Sequence, residues 1–219
     1  MPDSYDVGLR LRPESLFDMT RDYIDNEGLN SEQLKALRER EPPVCMPFRV
    51  RKIGHVVLRV TDLDRATAFY RDVLGFQVSD VYPQSMMPGG MVFLRMSPDH
   101  HSVALVGGAV EQGSVDSGMH HMAFEVATVD EVIRARDHLR AHKIPITYEG
   151  RRRAGCQIAV EFTDPDGHCL EIFWGLDQVD SDNRSRTPAD WRVATTLAQA
   201  LENAPQGQDT TLQDPTLQP

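Results

Sequence analysis

The sequence predicts an α+β fold: two βαβββ modules forming a curved mixed sheet around a cleft, with extra N-terminal helices and a C-terminal helix. Three observations carry this. Runs rich in β-branched and aromatic residues alternate with segments of helical spacing, in the order βαβββ twice over. The two halves match in register. "GHVVLRV" resembles "HHMAFEV", which sets His55 and His121 66 residues apart, and "SPDHHSVALVGG" resembles "DPDGHCLEIFWG", which sets Ala104 and Glu171 67 apart. Chance similarity would not hold register across both ends of a module, so the halves read as an internal repeat. Lastly, 219 residues at 40% hydrophobic and 26% charged suit one globular domain with a sizeable core and appended segments.

In chain order, residues 1–48 form an N-terminal helical extension. "RPESLFDMTRDYIDNEG" reads as a helix ending at Gly28. "NSEQLKALRERE" reads as a second, with Asn30 or Ser31 as cap and Pro42-Pro43 as stop. The first module covers 52–118. "KIGHVVLRV" is strand-like, and "DLDRATAFYRDVLG" repeats Leu63, Ala66, Phe69, Tyr70 and Leu74 at helical spacing before Gly75. "FQVSDVY", "MVFLRM" and "SVALVGG" complete it as strands. The second module covers 119–178, with "MHHMAFEV" as strand and "TVDEVIRARDHLRAHKI" as helix, then the strands "PITYEG", "CQIAVEF" and "CLEIFWG". Thr187 as cap and Pro188 at the first helical position predict a C-terminal helix over 186–204. The tail 205–219, "PQGQDTTLQDPTLQP", has little to bury and reads as disordered.

Composition limits function. A formal net charge of −10 disfavours a general nucleic-acid or anionic-membrane binder. No apolar run approaches a membrane span, and the start lacks a basic stretch followed by an apolar one. Cys45, Cys156 and Cys169 are odd in number and form no CxxC pair, so a cytoplasmic protein without a disulfide framework is expected. Two modules leave sheet edges that another subunit can cover, which predicts a homo-oligomer.

Strand alternation then selects candidate site residues. In "HHMAFEV", Met122, Phe124 and Val126 pack under the helix while His121, Ala123 and Glu125 face the other way. The same reading turns His55 out of the first strand and Glu171 out of "CLEIFWG". Two imidazoles and one carboxylate on one type of face form a 2-His-1-carboxylate ligand set that leaves coordination positions open.

From about Lys52 to Gly175 the chain resembles the vicinal oxygen chelate (glyoxalase/extradiol dioxygenase) superfamily. The similarity is greatest to type I extradiol ring-cleaving dioxygenases. "IGHVVLRVTDLDRATAFYRDVLGF", "MHHMAFEV" and "FTDPDGHCLEIFWG" carry it through their combined order and spacing. The resemblance implies His55, His121 and Glu171 as ligands of Fe(2+), with Mn2+, Zn2+ or Ni2+ as alternatives. It places His101 at the acid/base histidine, although "PDHHS" alone also suits a solvated polar turn. Glyoxalase-like lyases usually place a fourth ligand at the Ala104 position, and alanine cannot ligate.

Two positions depart from the pattern. Glu161 stands where these enzymes carry a tyrosine, and Arg152 where they carry a histidine. Glu161 is read as a catalytic or solvated strand residue. Arg152 is read as a partner for a substrate carboxylate or as part of a solvated loop. The implied function is a dioxygenase that cleaves an ortho-diphenol or related vicinal-oxygen substrate with O2. The alternatives are a metal-dependent isomerase, lyase or transferase without redox change, and a non-catalytic small-molecule binding protein.

Overall fold

The computed structural model describes residues 24–40, 52–109, 119–179 and 185–219. The chain divides into two units, residues 1–42 and 43–219. In the first, α1 is Asn26–Leu29 and α2 is Glu32–Glu39, with Ser31 at the N-cap of α2. Most of the helix predicted up to Gly28 lies outside the described residues, as do Pro42 and Pro43.

The second unit holds both modules. β1 (Val56–Arg59) leads to α3 (Leu63–Ala68), whose N-cap Asp62 accepts a hydrogen bond from the Arg65 amide at 2.9 Å. α3 continues into one π-helical turn, Phe69–Val73, and the chain leaves it at Gly75 with φ +74°, a backbone that L side chains adopt only under strain. β2 (Gln77–Tyr82), β3 (Met91–Arg95) and β4 (Val103–Val106) complete the module. The second repeats it: β5 (Met122–Glu125), α4 (Val129–Ala141), β6 (Ile146–Arg151), β7 (Ile158–Thr163) and β8 (Cys169–Trp174). A capping box fixes the start of α4, with Thr128 accepting from the Glu131 amide and Glu131 accepting from the Thr128 amide.

The two four-stranded mixed sheets have matching orders, β1-β4-β3-β2 and β5-β8-β7-β6. The first-listed pair of each is parallel, β1 with β4 and β5 with β8, and the other pairs are antiparallel. The outer strands carry register breaks at equivalent points, Val78/Asp80 in β2 and Ile146/Tyr148 in β6.

Alternation sorts the two faces of β1 and β5 as expected, whereas β4 is buried at every position and Glu171 of β8 is buried too. Leu58 and Phe124 are buried while Val57, Ala123 and Glu125 are exposed. One apolar core spans both modules, with Leu58, Leu94 and Leu105 of the first and Phe124, Val160 and Leu170 of the second. Direct contacts join them across the repeat. The Phe76 and Phe124 rings meet edge-on at 5.4 Å, and Phe69 approaches Phe162 at 6.5 Å. The buried Asp164 carboxylate accepts from the Tyr70 hydroxyl at 3.1 Å, from its own turn's amides, and pairs with His168 at 2.8 Å.

Beyond the modules the structure differs from expectation. The helix predicted over 186–204 is two pieces, a 3-10 turn at Pro188–Asp190 and α5 at Leu197–Glu202, capped by Thr196. Ala194 lies between them and bridges antiparallel to Arg151, so the main chain there leaves the helix to pair with β6. Gly150 permits this approach, since a Cβ there would sit 2.1 Å from the Ala194 oxygen. The stretch 205–219, read as having little to bury, instead packs Leu212 and Leu217 against the core. Its polar groups are also satisfied, because Asp130 accepts from the amides of Gln213 and Asp214 and Arg134 pairs with Asp214 at 3.0 Å. The buried Arg151 donates to the carbonyls of Arg192, Ala200 and Asn203 and to Gln208 Oε1. Among the described residues no helix is long and apolar enough to cross a membrane. Cys156 and Cys169 are free thiols, and Cys45 lies outside the described residues.

Candidate metal centre

His55 is the residue before β1 and is exposed. Parallel pairing sets it beside the start of β4, where the Val56 amide donates to the Ser102 carbonyl at 3.0 Å. The His101 ring consequently lies next to it, with centroids 4.5 Å apart, and Phe93 meets His101 edge-on at 5.0 Å. The His101 imidazole is held below its usual value, first by desolvation, then by His55 and His100. Ala104 is paired between Val57 and Phe93 and presents no ligating atom.

The second module carries the carboxylate. His121 precedes β5, and its Nε2 lies 3.6 Å from Glu171 Oε2. Its Nδ1 faces His120 Nδ1 at 2.7 Å, leaving Nε2 for the carboxylate side. Glu171 on β8 stands opposite Ala123 of β5 and Glu161 of β7 and is 2% exposed. Burial, then the Glu161 charge, pushes its carboxyl above the ordinary carboxylate value, while Gln157 and Arg152 pull the other way.

This carboxylate suits a divalent ion. Its neighbours Gln157 Nε2, at 3.5 Å, and His121 Nε2, at 3.6 Å, stand too far off to satisfy an ionised oxygen well. Two ligands bonded to one ion at roughly 2.0–2.2 Å stand about 3 Å apart, so a small movement of His121 would serve. The third ligand is not at hand. Among the described residues, no three of histidine, cysteine, aspartate and glutamate come within range of one ion. Among the described residues His55 lies beside His101, and His121 beside Glu171.

Arg152 and Glu161 meet each other. Arg152 Nε donates to Glu161 Oε1 at 2.8 Å, and Nη2 donates to the same oxygen. The guanidinium also lies over the Tyr148 ring, with Cζ 3.5 Å from its centroid. The pair is mostly covered, at 15% and 21% side-chain exposure. Glu161 thus stands beside Glu171 with its charge answered by Arg152.

Two residues escaped the sequence reading. Tyr148 supports Arg152 and donates its hydroxyl to the Ala194 carbonyl at 2.9 Å. Alternation along "PITYEG" could have flagged it, since β6 pairs Tyr148 with Glu161. Gln157 reaches Glu171 from just before β7 and carried no signal of its own.

Comparison with known proteins supplies the remaining context. Residues 52–172 match the profile of the Glyoxalase/Bleomycin resistance protein/Dioxygenase superfamily. A biphenyl-2,3-diol 1,2-dioxygenase of Paraburkholderia xenovorans is 34% identical over 131 residues, covering 58% of this chain and 42% of the relative. An iron-dependent extradiol dioxygenase of Rhodococcus jostii is 29% identical over 130 residues, covering 55% and 42%. The chain spans about two fifths of the length of these relatives. A solved structure of the trypanothione-dependent glyoxalase I of Leishmania major is 29% identical, with a TM-score of 0.47, over 57% of this chain and 88% of that one.

Proposed function

The chain belongs to the Glyoxalase/Bleomycin resistance protein/Dioxygenase superfamily, and on that premise we propose that it is a non-haem Fe(II)-dependent dioxygenase of extradiol type, cleaving an ortho-diphenol or related vicinal-oxygen substrate with O2. The observation that carries the proposal is the under-satisfied Glu171 carboxylate beside His121 Nε2. The named activities of the relatives, one an iron-dependent extradiol dioxygenase, support the choice of reaction and metal.

In this reading His55, His121 and Glu171 hold the ion once assembled. Bound Fe(II) supplies open coordination positions and the electron relay that a closed-shell ring and dioxygen lack. His101 sits beside His55 and takes the proton from a substrate hydroxyl, returning it as the ring opens. Phe93 and Tyr82 give that side of the site an apolar wall, their rings 4.8 Å apart. Glu161 holds Arg152 in place, and the five N–H donors of a guanidinium can serve a substrate carboxylate as well. A cytoplasmic location and a homo-oligomeric assembly belong to the same reading.

The test is anaerobic purification, identification of the bound metal, and a panel of catechols with oxygen. Expected are oxygen uptake and a yellow ring-opened product, both lost on chelation and restored by Fe(II). Turnover under argon would replace the proposal with a non-redox lyase or isomerase. Tight binding of catechols without turnover would replace it with a binding protein.

A further inference from the structure

From the four hydrogen bonds of the Gln208 side chain we infer that it is a positioning residue for the candidate metal centre, acting through Gln157 to orient the Glu171 carboxylate. The inference rests on the ligand assignment proposed above and goes beyond it, because Gln208 lies outside the 52–172 stretch that matches the family.

The argument begins with the carboxylate. Glu171 turns one oxygen to each of two neighbours, Oε2 to His121 Nε2 at 3.6 Å and Oε1 to Gln157 Nε2 at 3.5 Å. A partner on Oε1 opposes the rotation that would carry Oε2 away from the histidine. Groups that hydrogen-bond a ligating carboxylate in this way fix its direction toward the ion. Whatever holds Gln157 therefore helps to aim Glu171.

Gln157 follows a tight turn and precedes β7. The Cys156 amide donates back to the Arg153 carbonyl at 3.1 Å, and the Asp177 amide donates to the Gly155 carbonyl at 2.8 Å. Cys156 has φ +51°, a left-handed backbone that residues with a Cβ rarely adopt. Such a conformation persists only where its surroundings impose it.

Gln208 supplies that constraint. Its Nε2 donates to the Cys156 carbonyl at 3.0 Å and to the Gly175 carbonyl at 2.9 Å. Its Oε1 accepts from Arg151 Nε at 3.1 Å and Nη2 at 2.8 Å. Carbonyls only accept and a guanidinium only donates, so the orientation of the amide is fixed by chemistry. The Cys156 carbonyl belongs to the peptide bond that enters Gln157, and Gly175 directly follows β8, the strand that carries Glu171. One side chain thus pins both the donor's turn and the acceptor's strand. The approach is close, since a Cβ at Gly175 would stand 2.8 Å from Gln208 Nε2.

Titration of the full chain with Co(II), followed by visible absorption, tests the assignment. Gln208→Glu keeps an oxygen for Arg151 and removes both N–H donors. It should bind Co(II) about 10-fold more weakly than wild type, with an altered absorption spectrum. Gln208→Met removes both functions without adding a charge and should lose at least as much. Gln157→Leu should show a similar loss, and adding Gln208→Glu to it should cost nothing further, because the two residues act in series. Thr210→Val removes a different bond of the same stretch, to the Leu201 carbonyl, and should leave Co(II) affinity unchanged. A merely structural role would lower the urea midpoint of the metal-free Gln208 variants while leaving the affinity and spectrum of the folded protein as they were. That result, or losses from Gln208→Glu and Gln157→Leu that add independently, would overturn the inference alone. Wild type that binds no Co(II), or Glu171→Gln that binds it as well as wild type, would instead remove the ligand assignment, and this inference with it.

Discussion

Arg151 offers the sharpest test of the energetics. Its guanidinium is fully buried and, among the described residues, has no carboxylate partner. Its donors serve the carbonyls of Ala200, Asn203 (2.8 Å) and Arg192 (3.2 Å) and the Gln208 side chain (2.8 Å). Consider Arg151→Met, which preserves length and removes every donor. The Ala200 carbonyl is bonded in a buried setting, and leaving it unpaired costs about 2 kcal/mol; the three part-buried acceptors can turn partly to water and cost about 1 kcal/mol each. Against this, the variant no longer buries a cation, a burden visible in the lowering of the Arg151 pKa by desolvation, and recovers about 1–2 kcal/mol. The net loss is about 3–4 kcal/mol, which for a chain of this size lowers Tm by about 6–16 °C. Urea denaturation followed by circular dichroism measures it. Arg151→Lys keeps the charge but not the fork, so its loss should be intermediate. A loss under about 1 kcal/mol for Arg151→Met would refute the account of how the C-terminal stretch is held.

Three further outcomes follow from contacts already described. The hydrogen bond to Asp164 raises the His168 pKa above 6.5, so the pair's contribution is complete below pH 6.5 and is lost as pH rises through the folded-state value; wild-type Tm should fall more than that of His168→Gln between pH 6 and 9, and equal slopes would disprove the coupling. Phe162→Ala should cost about 3–5 kcal/mol by denaturant midpoint, since its ring is fully buried beside Phe69 of the other module, and a loss below about 1.5 kcal/mol would mean the modules do not share a core. Glu161→Gln should cost only about 1–2 kcal/mol, because Tyr148 still receives the guanidinium; with Arg152 released, KM for a carboxylate-bearing catechol should fall relative to catechol itself, and an unchanged ratio would remove Arg152 from substrate recognition.

Much of this was legible in the sequence, for identifiable reasons. The repeat set the strand order, and period-two alternation separated Val57 from Leu58 and Ala123 from Phe124, because β1 and β5 each turn one face to the core. Ser31, one of the two cap candidates for α2, is a local assignment that a short sequence pattern encodes; the N-caps Asp62, Thr128 and Thr196 did not enter the sequence reading. Contacts between distant segments left no such trace. Nothing near Arg152 indicates that Glu161 engages it, and "DTTLQDPTLQP" has no periodicity to announce that Leu212 and Leu217 are buried. The break in the C-terminal helix follows from Ala194 pairing with Arg151, a partner more than forty residues away.

The two register breaks in β2 and β6 bear on how this molecule avoids unwanted company. Each occurs in one edge strand of its sheet, where unpaired amides and carbonyls would otherwise template a stranger's backbone. An extra residue spoils the regular spacing that a fibril's ladder demands, and Ala194 further occupies part of the β6 rim. Growth strand by strand is thereby discouraged at the β2 and β6 edges. Self-recognition is left to broad side-chain surfaces, whose shape and charge can discriminate where bare backbone cannot.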